Sequence, residues 1–96
     1  MNAISLPHAL ESFFVLQSSP SSQTGVLHLE RGRATIPECD PERDRSLLLI
    51  EGELVVEVEN AGQTIRPGVS LTIPAGVMHR VINRSARAAL AFTVLV

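Results

Sequence analysis

The run Gly68-Val-Ser-Leu-Thr-Ile-Pro74-Ala-Gly76-Val-Met-His79-Arg-Val-Ile-Asn83 constrains this chain more than any other feature. Its fixed positions are Gly, five residues, Pro, one residue, Gly, two residues, His, three residues and Asn. Glycine at 68 and 76 permits tight turns that a Cβ would hinder. Pro74 ends a strand where a ladder donor would be lost. Side chains of the strand that follows alternate between faces. Val77, His79, Val81 and Asn83 share one face, and Met78, Arg80, Ile82 and Arg84 the other. Two arginines mark the second face as the wetter one, so His79 is expected to point inward.

The rest of the chain reads as strands and turns from Val26 onward. Leu54, Val56 and Val58 alternate with Glu53, Glu57 and Glu59, the pattern of a half-buried strand. Further strands are expected at 26–30, 33–36, 46–51, 63–66, 70–73, 77–83 and 88–96, with a hairpin turn at Asn60-Ala61-Gly62. The charged stretch 37–44 holds two prolines and reads as a loop. Turn signals every eight to twelve residues point to an all-β barrel or sandwich, and no helical segment separates the strands. Near the N-terminus, Leu6, Leu10, Phe13 and Phe14 fall close to helical spacing after Pro7, which predicts a short helix over 7–17. A strand through Phe13 to Leu16 is the competing reading. The expected organisation is one domain, with helix and loop over 1–24 and the barrel over 25–96.

Composition removes several function classes. The chain has 96 residues, a net charge of −2 and neither Trp nor Tyr. That argues against a nucleic-acid footprint or a base-stacking platform. No apolar run is long enough to span a bilayer as a helix, and no basic residue precedes the N-terminal apolar stretch, so the expected setting is cytoplasmic. The single Cys39 excludes an intramolecular disulfide. All eight basic residues are Arg, so each cation here offers a planar fork for a carboxylate or phosphate.

Taken together, Gly68 to Asn83 and Glu51-Gly52-Glu53-Leu54 resemble the two conserved motifs of a small single-domain cupin, the second complete and the first eroded. The resemblance implies a double-stranded β-helix, a jelly-roll barrel of two sheets. It also implies a pocket inside the barrel, with His79 where the family places a metal-binding histidine. The first motif of metal-binding cupins supplies two His and one Glu. Counting back seven residues from Gly52 puts Arg45 at the Glu position. The two His positions fall on Glu38 and Asp40 in one spacing, or on Cys39 and Pro41 in the other.

Several readings of these residues stay open at this point. Glu38, Asp40 and His79 are candidates for a carboxylate-rich site holding a divalent ion such as Zn, Mn, Fe, Ni or Cu. The competing reading makes His79 a hydrogen-bonded interior residue. Arg45 with His79 is a candidate anion pocket, with Cys39 beside it as a further ligand contact. Its competitor is an Arg paired with Glu38, Asp40 or Asp44. The expected function is a small-molecule or ion-binding domain without a catalytic set, its ligand inside the barrel near His79, with a small anion among the candidate ligands. The alternatives are a metal-dependent enzyme of the dioxygenase, isomerase or decarboxylase type, and a structural or regulatory dimer with a vestigial pocket. Leu47 to Ile50 and Ala88 to Val96 are apolar on both faces. One face is expected to fill the barrel, and the other to meet a second copy in a homodimer, the competing reading being a monomer capped by its own N-terminal helix.

Overall fold

The alternation in sequence becomes a two-sheet sandwich. The computed structural model describes Ala3 and residues 12–96. Its strands are β1 Phe13–Ser18, β2 Gln23–Leu29, β3 Arg45–Glu51, β4 Leu54–Val58, β5 Ala61–Ile65, β6 Ser70–Ile73, β7 His79–Ile82 and β8 Ala89–Leu95. They form a five-stranded sheet in the order β1-β2-β8-β3-β6 and a three-stranded sheet in the order β5-β4-β7. All strand pairs are antiparallel.

Period-two patterning fills the space between the sheets. Leu27 and Leu29 of β2, Leu47 and Leu49 of β3, and Ala89 and Ala91 of β8 face inward. Leu54 and Val56 of β4, Ile65 of β5 and Val81 of β7 meet them from the opposite sheet. Burying each such Leu, Ile or Val side chain contributes about 1.5–3 kcal/mol. The one glutamate of β4, Glu57, is held by a cross-strand pair. Glu57 lies opposite Arg80 and accepts a hydrogen bond from its Nε at 3.0 Å.

Three local expectations need correction. The helix over 7–17 is not seen where it can be checked. Phe13–Ser18 is strand β1, paired with β2 from Phe13↔Leu27 to Ser18↔Gln23. Pairing with an otherwise open edge outweighs the helical spacing, and residues 7–11 of that expectation lie outside the described residues. The strand expected at 33–36 is reduced to the single bridge Ala34↔Ile82, and a second bridge, Glu38↔His79, falls in the stretch expected as loop. Pro37 has no N–H to give a ladder, and the Thr35 hydroxyl accepts the hydrogen bond from the Val81 N–H. The β4–β5 turn falls on Glu59-Asn60, with Val58 opposite Ala61, rather than on 60–62.

Candidate functional site

His79 begins β7 and lies on the inward face, 4% exposed. Its Nδ1 is 3.0 Å from the Val77 carbonyl oxygen. A carbonyl only accepts, so Nδ1 carries the proton and donates. In the neutral ring this leaves a bare lone pair on Nε2. That atom is buried and has no hydrogen-bond partner. Glu38 Oε1 lies 3.9 Å from it, beyond hydrogen-bond length.

The loop 37–44 resolves the two spacings left open by the sequence. Glu38 and His79 exchange both backbone hydrogen bonds at 2.9 Å, which sets Glu38 beside the histidine. The turn Pro74-Ala75-Gly76 fastens the loop in place. Gly76, at φ +79°, donates its N–H to the Asp40 carbonyl at 2.7 Å. The Ala75 N–H donates to Asp44 Oδ1 at 2.8 Å. Asp40 does not join Glu38 and His79. Its Oδ1 accepts the N–H groups of Glu42 and Arg43, and its Oδ2 takes the Arg43 guanidinium at 3.1 Å. The Glu42 N–H first, and then Arg43, hold the Asp40 carboxyl below its ordinary range. Cys39 is exposed.

Arg45 opens β3 on the same face as the buried Leu47 and Leu49. Its neighbours across the sheet are Ile73 and Leu95, both buried. The guanidinium carbon lies 5.9 Å from the centre of the Phe13 ring, within cation–π range. Among the described residues no carboxylate forms an ion pair with Arg45. Its expected pairing with Glu38, Asp40 or Asp44 is therefore not made.

Arg45 and Glu38 line one chamber of about 500 Å³, walled by Phe13, Leu27 and Ile36 and edged by Gln23 and Thr35. Gly25 makes this wall possible. A Cβ there would stand 2.7 Å from Phe13 Cζ. A second cavity of about 350 Å³ lies between β4, β5 and β6, against Val56, Leu71 and Val77. Gln63 and Thr72 are its polar residues and it holds no charge, so it offers nothing to select an ion.

Asn83, the last fixed residue of the motif, is fully buried and saturated. Its Nδ2 donates to the carbonyls of Leu29 and Arg87 at 2.9 and 2.7 Å, and its Oδ1 accepts from Ser85. It ties the end of β2 to the loop before β8. Sequence reading missed Phe13, Gln23 and Thr35 as chamber residues. The strand reading of Phe13 to Leu16 was the one signal that pointed to the first of them.

A transition-metal centre needs several donors in one place. Among the described residues, no group of three or more His, Cys, Asp and Glu is arranged to hold an ion. Glu38 and His79 supply two donors, Asp40 is engaged elsewhere, and Arg45 brings a cation to the remaining position. The residues present do not fit the ligand set that the cupin resemblance implies.

Comparison with known proteins agrees with the geometry of the barrel. No sequence among curated proteins matches. The fold is shared with TT1209 from Thermus thermophilus (27% identity, TM-score 0.81, 94% of this chain and 88% of that one). It is also shared with the Cnp3 cupin domain of Schizosaccharomyces pombe at 18% identity and TM-score 0.81. That match covers 86% of this chain, which spans 61% of the other. BH2720 from Bacillus halodurans gives a TM-score of 0.84 at 19% identity, over 92% of this chain and 71% of that one. The cupin domain family model matches residues 25–96, which cover β3 to β8 and all of β2 but its first two residues. The chain belongs to the cupin domain family.

Proposed function

We propose that this protein binds a small anionic molecule in the chamber at the mouth of the barrel, with Arg45 as the anchor and no catalytic set. One observation carries the reading. Arg45 lines a largely apolar chamber and makes no ion pair among the described residues. A guanidinium in such surroundings favours a carboxylate or phosphate held through two parallel hydrogen bonds. The apolar walls would take the ligand's hydrocarbon part. Cys39, being exposed, contributes no argued contact.

Calorimetric titration with butyrate tests this. Wild-type protein is expected to bind it, and Arg45→Met to lose binding while keeping its circular dichroism spectrum. Equal binding by the folded variant rejects the anchor.

The outer face of the five-stranded sheet supports a second proposal, a homodimer. Phe14, Val26, Phe92 and Leu48 stand side by side across β1, β2, β8 and β3, and Leu48 is 40% exposed. A second copy laid on this row about a two-fold axis would cover it. Sedimentation equilibrium is expected to give a dimer for the wild type and a monomer for Leu48→Glu. A monomeric wild type rejects the dimer.

A further inference from the structure

We infer that the ligand is dipolar: a small carboxylic acid that carries a hydroxyl or ammonium group away from its carboxylate. The inference rests on the reading of Arg45 as anion anchor and adds the other end of the molecule. Arg45 and Glu38 line the same chamber but do not form an ion pair. Opposite charges facing one partly enclosed space would gain by pairing. Both residues line the chamber and neither takes up the other's charge.

His79 does not take up the Glu38 carboxylate either. Its Nδ1 donates to the Val77 carbonyl, and its buried Nε2 makes no hydrogen bond to Glu38 Oε1, 3.9 Å away. Among the described residues no side chain or backbone N–H donates to the Glu38 carboxylate, which is half exposed. A half-exposed carboxylate with no protein donor can exchange solvent for a ligand's O–H or N–H. A simple fatty acid would satisfy Arg45 but leave Glu38 facing an anion. A hydroxy or amino acid satisfies both, with its carbon chain against Phe13, Leu27 and Ile36.

Calorimetric titration of the full chain with butyrate, 2-, 3- and 4-hydroxybutyrate and 4-aminobutyrate tests the inference. At least one substituted acid is expected to bind roughly tenfold more tightly than butyrate, the scale of one charge-assisted hydrogen bond. Glu38→Leu is expected to abolish that preference while strengthening butyrate binding, because it removes a nearby like charge. Glu38→Gln keeps an acceptor oxygen without the charge. It separates the two donors: a hydroxy-acid preference survives, and an ammonium preference is lost. Butyrate binding as tightly as every substituted acid overturns the dipolar ligand and leaves the Arg45 anchor standing. Binding of none of the probes overturns both.

Discussion

His79 Nε2 and Glu38 Oε1 face each other at 3.9 Å, brought together by a backbone bridge between their own residues. A metal ion could use both atoms, but with Asp40 engaged and Arg45 in the remaining position the set stops at two. Elemental analysis of protein purified without a polyhistidine tag is therefore expected to give well under one Zn, Mn, Fe, Ni or Cu per chain. One equivalent, lost on His79→Ala, contradicts this account of the site.

Asn83 is a structural residue inside a motif usually read for its histidine. Its side chain satisfies two carbonyls from different segments and accepts from Ser85. Asn83→Ala takes the side-chain donor from the buried Leu29 carbonyl, while the Arg87 carbonyl keeps the Ser85 hydroxyl. The expected loss is about 1–3 kcal/mol in urea unfolding, with little change in the slope. A loss below the error of the extrapolation contradicts the role.

The β4–β5 hairpin holds a non-glycine residue, Glu59, at φ +56°. Two-residue hairpin loops favour Gly or Asn in that conformation. Glu59→Gly is expected to raise stability by about 0.5–1 kcal/mol, measured by the same urea titration. A lower midpoint would show that Glu59 contributes more than its backbone costs.

Asp40 predicts an acid response of the loop 37–44. Its carboxyl is held below the ordinary value of 3.8, chiefly by the Glu42 N–H and with help from Arg43. A depressed folded-state pKa gives stability that is complete above the ordinary value and is lost as pH falls through the folded one. The Glu42 and Arg43 amide resonances should therefore hold steady down to about pH 4. They should move only in stronger acid, and be displaced at all pH values in Asp40→Ala. Movement beginning at neutral pH contradicts the assignment.

Much of the barrel is readable because alternation against a buried face marks β4 and β7, and short apolar runs between turn signals mark β3 and β8. His79 was placed inward by that alternation alone, and the sandwich buries it. The chamber was less legible because it depends on long-range facts. Phe13 joins it only because β1 adds to the edge of β2 and Gly25 leaves room for the ring. The register of the loop, and with it that Glu38 but not Asp40 stands beside His79, was likewise invisible. It is set by Pro37, which breaks the ladder, and by the turn in which Asp40 caps two N–H groups. Local spacing cannot say where a short strand stops, and one residue reverses the face.

The central claim is that Arg45 receives the anion. The most direct measurement is the Arg45 side-chain Nε–H resonance, assigned by its loss in Arg45→Lys, followed during titration with butyrate. The account predicts a saturable shift of that resonance, accompanied by shifts at Gln23, Thr35 and Ile36. A resonance that stays fixed while butyrate binds elsewhere, or fails to bind, contradicts it.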